Sequence, residues 1–107
     1  MDKALTMLGF ALKAGKLSCG MAAAQDAMKK KKACLALAAS DISLKSKKEI
    51  RFFAEKNSVG FAELNRFDSK TLSVSIGRKC GIVTINDSGF ADAFLKAYDE
   101  GGNANDK

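Results

Sequence analysis

The 107-residue sequence contains no histidine, no proline and no tryptophan, and only three cysteines. Without histidine there is no Ser–His or Cys–His pair and no imidazole general base. Cys19, Cys34 and Cys80 are odd in number, widely spaced and form no Cys-x-x-Cys, a pattern that speaks against a zinc site and against a disulfide framework. Gly-x-Ser-x-Gly and Gly-x-Gly-x-x-Gly are absent, and Gly15-Lys16 lacks the upstream glycine and the following Ser or Thr of a phosphate-binding loop. No apolar run is long enough to span a bilayer, and the N-terminal segment lacks the basic-then-apolar order of a secretion signal. These absences lead to the expectation of a cytoplasmic, non-enzymatic protein with no cofactor, no metal and no membrane partner.

What is present is positive charge on a chain with enough apolar residues to fold. Hydrophobic residues make up 47% of the chain, which excludes wholesale disorder and suits one core. A single domain over residues 1–100 is expected, with 101–107, small and polar, as a disordered tail. Eighteen basic against twelve acidic side chains give a net charge of +6. The excess is uneven: residues 1–56 carry 12 basic and 5 acidic groups, residues 57–107 carry 6 and 7. Such asymmetry points to an anionic partner, with RNA or DNA ahead of a membrane surface.

The chain is organised around residues 33–39, an uncharged run of Ala, Cys and Leu bounded by four lysines (29–32) and by Ser40-Asp41. A short apolar run with abrupt ends reads as a strand buried on both faces, and its small side chains suit a sheet covered closely on both sides. Within it, Cys34 is expected to be a core residue. Ahead of it, Leu5, Leu8 and Leu12 recur at helical spacing from Asp2 onward, closed by Gly15. A short strand over 17–19 ends at Gly20, and a helix follows over 21–32. Beyond it, Ser43 caps a helix with Ile50, Phe53 and Ala54 inward, which Asn57 closes in the left-handed conformation. A strand over 59–64, a helix capped by Asp68 and ended by Gly77, a strand over 81–85 and a helix capped by Asp87 complete the order. Alternating strands and helices predict an α/β fold, a three-layer α/β/α sandwich with a mixed, largely parallel sheet of about four strands.

Two places suit an anion. At Gly20 a strand turns into a helix, so backbone N–H groups and the positive end of a helix dipole point outward. Gly77-Arg78-Lys79 is a basic loop between helix and strand. Lys29 to Lys32 read first as a solvated helix terminus. Loops at one edge of such a sheet converge, so Lys16, Gly20 and Arg78 are expected on one surface.

In order and spacing the chain resembles the ribosomal kink-turn RNA-binding family (archaeal and eukaryotic large-subunit type, with Gadd-like relatives), and most of all its short bacterial YlxQ-like members. The likeness is carried by Leu8-Gly9-Phe10-Ala11, Ala14-Gly15-Lys16-Leu17, Gly20, and the stretch from Lys31 to Asp41. It continues through Leu72 to Lys79 and the run from Thr84 to Ala91. The resemblance implies an α/β/α sandwich and binding of kink-turn RNA, a helix–bulge–helix with tandem sheared G·A pairs; a monomer associated with the ribosome is expected. It places Gly20, Met21, Ala22, Ala23 and Asp26 against the G·A pairs. Ile76, Gly77, Arg78, Lys79 and Cys80 then cover the bulged bases, and Lys16, Lys29 and Lys30 meet phosphates. The chain departs from the pattern where it matters for base reading: the family's polar pair is Ala22-Ala23 here, and its lysine is Asp26. That departure supports an alternative, a protein-interaction or assembly module on the same fold that has lost kink-turn recognition.

Overall fold

The structure, a computed structural model, describes the backbone of residues 2–105 and the side chains of residues 2–100. Along the chain run α1 (Lys3–Lys13), β1 (Leu17–Cys19), α2 (Met21–Lys29), β2 (Leu35–Ala39), α3 (Leu44–Lys56), β3 (Gly60–Leu64), α4 (Ser69–Ile76), β4 (Ile82–Ile85) and α5 (Ser88–Asn105). All five residues of β2 are buried, and side chains alternate between faces along a strand. Leu35, Leu37 and Ala39 enter the larger core, shared with Leu8 of α1, Leu72 of α4 and Phe94 of α5. Ala36 and Ala38 face Ala24 and Met28 of α2 and Ile50 and Ala54 of α3. The alanines of this strand are therefore what allows a helical layer to approach the sheet closely. The three-layer α/β/α sandwich is the observed architecture.

The helices start where short side chains can cap them. Asp2 accepts the Ala4 N–H at 2.8 Å, Ser43 the Ser46 N–H at 3.1 Å, Asp68 the Thr71 N–H at 2.7 Å, and Asp87 the Phe90 N–H at 2.9 Å. Helix ends depart more from expectation. α2 stops at Lys29, and Lys31 takes a left-handed φ of 60°. Ser58, not Asn57, holds the left-handed position after α3; Asn57 instead turns its Nδ2 to the Phe53 carbonyl at 2.8 Å. Cys34 is exposed rather than a core residue, because the strand begins only at Leu35. The helical backbone of α5 extends over 101–105, inside the segment expected as a tail; residues 106 and 107 lie outside the described residues.

The sheet has the order β1-β4-β2-β3 and is mixed. β2 and β3 are parallel, whereas β4 runs antiparallel to both β1 and β2. The sheet is thus not largely parallel, and the reason lies in α4. That helix starts beside Asp41 at the end of β2, and the loop after it is bonded back to its own Ser73. The chain does not cross the sheet, so β4 enters from the end at which β3 left. Among the described residues no helix is long and apolar enough to cross a membrane.

Candidate nucleic-acid interface

The strand register defines two ends of the sheet. At one, Gly20 N–H donates to Ile82 O at 2.7 Å and Ala39 N–H to Gly81 O at 2.8 Å. The starts of α2 and α3 and the α4–β4 loop therefore meet there. Gly20 has φ 93° and ψ 160°, a region open essentially to glycine alone. It lets the backbone leave the sheet and enter α2 at once. Among the described residues no side chain caps α2, so its first N–H groups remain available to a ligand. Ala22, Ala23 and Asp26 are exposed along its outer face, while Met21 is half-buried.

Beside this turn the α4–β4 loop is pinned by one serine. Ser73 Oγ donates to Ser69 O at 2.6 Å and accepts the Cys80 N–H at 3.0 Å. Left-handed Gly77 closes α4, its N–H donating to Ser73 O at 2.8 Å. Arg78 and Lys79 are exposed at the tip of the loop, whereas Ile76 and Cys80 are buried. Burial pushes the Cys80 thiol up to about 11, with the neighbouring Cys19 thiol adding to the effect. Cys80 is thus a protonated core group, and only Gly77, Arg78 and Lys79 of this stretch are presented to solvent. A groove of about 420 Å³ runs between Ile42, on the β2–α3 loop, and Lys70, Ser73 and Lys79.

One clamp was not visible in the sequence. Asp41 accepts both the Ser69 hydroxyl and the Ser69 N–H, each at 2.8 Å, tying the β2–α3 loop to the start of α4. These bonds, the hydroxyl first, hold its carboxyl below the usual carboxylate range. In the sequence Asp41 marks only the end of a strand, because its partner stands 28 positions away.

The opposite end holds the other expected cations. Lys16 O accepts the Asn86 N–H at 2.8 Å, and β1 separates Lys16 from Gly20 by about 13 Å at the rise of an extended strand. α2 carries Lys29 and Lys30 a similar distance, about 14–15 Å, from Gly20. The expected convergence of Lys16, Gly20 and Arg78 does not occur: Gly20 joins the loop that bears Arg78, and Lys16 lies at the far end. Lys30 pairs with Asp26 at 3.1 Å, both well exposed, an interaction of small net worth. Lys29 lies 5.9 Å from the Phe53 ring centre. Gln25, the one amide near the start of α2, is turned to Glu49 of α3 at 3.0 Å.

The first end of the sheet thus combines open N–H groups with Lys70, Arg78 and Lys79, while Asp41 and Asp68 are engaged in capping bonds. Among the described residues no group of His, Cys, Asp and Glu could hold a metal ion. Residues 2–95 match the ribosomal protein L7Ae/L30e/S12e/Gadd45 family. Of solved structures, a protein of unknown function from Bacillus halodurans superimposes with a TM-score of 0.85 at 21% identity, covering 92% of this chain and 99% of that one. The Giardia lamblia 15.5kD RNA binding protein does so with a TM-score of 0.74 at 12% identity, covering 92% and 83%. At these identities both show the shared fold. No curated protein matches the chain.

Proposed function

Because the chain belongs to the ribosomal protein L7Ae/L30e/S12e/Gadd45 family, we propose that it is a non-enzymatic RNA-binding protein acting as a monomer on structured RNA of the kink-turn type, in association with the ribosome. The observation that carries this reading is the meeting of the Gly20 turn with the pinned, cationic loop over 77–79 at one end of the sheet. Open N–H groups of residues 21–23 offer donors to base edges or phosphates, and Arg78, Lys79 and Lys70 supply charge. The relative from Giardia, an RNA binding protein by name, supports the same class of partner. Ala22 and Ala23 carry no polar atoms beyond the backbone, so backbone and phosphate contacts replace side-chain reading of the G·A pairs.

The deciding measurement is binding of the purified protein to a kink-turn RNA beside a control in which both G·A pairs are Watson–Crick pairs. Tight binding that collapses on the control is expected, and Arg78→Ala and Lys79→Ala should each lower the salt slope of log affinity by roughly one. Weak and equal binding to both RNAs overturns the reading. That result favours the alternative of a protein-interaction module, for which the small exposed side chains of Ala22 and Ala23 are the specific support.

A further inference from the structure

The far end of the sheet holds a polar recess that the proposed function leaves unused. It measures about 480 Å³ and lies between β1 and α2, lined by Lys16, Ser18, Asp26, Lys32 and Asn86 among others. Its floor is an oriented relay. Thr84, fully buried on β4, donates its hydroxyl to Asn86 Oδ1 at 3.0 Å. That bond fixes the amide so that Asn86 Nδ2 donates to Ser18 Oγ at 2.9 Å. Ser18 Oγ therefore accepts, and its own O–H has no acceptor among the described residues. The relay ends in a donor facing the recess.

The rim adds charge. Lys16 and Lys32 line the recess, and exposed Lys31 adjoins it. The one carboxylate on the lining, Asp26, is held by Lys30 at 3.1 Å. Lys31 has φ 60°, a backbone conformation that side chains other than glycine seldom adopt, so a lysine stands where glycine is the natural choice. Hydroxyl and amide donors with several ammonium groups form the donor set that proteins use on backbone phosphates of nucleic acids. We propose that this recess binds a phosphate group of an RNA backbone, giving the protein a second RNA contact at the end of the sheet opposite the Gly20 turn. The contact needs no kink-turn, and it stands on the recess alone.

The test follows the side-chain amide of Asn86 by nuclear magnetic resonance in the ¹⁵N-labelled full chain. Single-stranded oligouridine and inorganic phosphate are added in separate titrations. Oligouridine should shift this amide signal, and the double variant Lys16→Ala/Lys32→Ala should lose the shift; both lysines are exposed, so the fold is retained. In Arg78→Ala/Lys79→Ala the shift should persist. The salt slope for oligouridine should fall by roughly 0.7 for each lysine removed. No shift with oligouridine overturns the proposal. An equal shift at the same concentration of inorganic phosphate overturns the assignment to RNA in favour of a free anion. Loss of the shift in the Arg78/Lys79 variant shows one continuous surface and overturns a second site. A protein that fails to distinguish kink-turn from control RNA but still shifts Asn86 with oligouridine refutes the first reading and supports this one.

Discussion

At Ala22 and Ala23 the outer face of α2 ends in methyl groups, and one turn on Asp26 holds Lys30. Substituting Ala22→Asn, Ala23→Glu and Asp26→Lys places polar groups there on a helix whose position Gly20 fixes. A well-made side-chain contact to a base edge is worth about 1–3 kcal/mol, so kink-turn affinity should rise tenfold or more in a binding titration. An unchanged affinity means that the first turn of α2 does not face the bases. Gly81 shows a different constraint at the same end. A Cβ there would stand 2.7 Å from Ile42 Cγ2 and 3.4 Å from Ser69 Cβ, between the two parts that Asp41 ties together. Gly81→Ala should lower stability by about 1–3 kcal/mol, the usual cost of overpacking, read as a shift in the urea unfolding midpoint. No shift would mean that Ile42 moves aside freely.

Elements whose signals act over a few residues are legible in the sequence. Ser43, Asp68 and Asp87 are legible as helix caps because their bonds span three positions. β2 is legible because burial on both faces leaves a run without charge. The antiparallel entry of β4 is not, since periodicity cannot tell a helix that crosses the sheet from one that stays at its end. The separation of Lys16 from Gly20, by contrast, follows from the strand over 17–19 that stands between them, so their expected convergence fails on a length the sequence itself contains. The Asp41 clamp is a contact between distant elements, and it has a pH signature. Hydrogen bonds from Ser69 lower the folded-state pKa of Asp41 below 3.8, and bonds from Thr71 do the same for Asp68. A lowered carboxyl pKa stabilises the fold fully above the unfolded-state value, and that contribution is lost as pH falls through the folded value. Asp41→Asn should therefore flatten the loss of stability below about pH 4, measured by urea unfolding across the acid range. Identical acid profiles for the two proteins would show that the clamp's charge contributes nothing.

On the scale of the whole molecule, positive charge is divided between the two ends of one sheet. Arg78 and Lys79 stand at the end with the open helix start, and Lys16 with Lys29 to Lys32 stand at the other. The two groups are joined by a middle that offers little to solvent, since β2 and β4 are buried throughout. β4 is the last strand along the chain, yet it lies between β1 and β2, and β1 has no other neighbour in the sheet. During synthesis, β2 and β3 can pair as soon as both have left the ribosome, but Leu17 to Cys19 must wait until residues 82–85 emerge. The sheet is closed by a contact spanning more than half the chain, of the kind that forms late and slows folding. The Gly20 turn, bonded to the sheet through Ile82 O, is therefore among the last parts of the protein to take shape on the nascent chain.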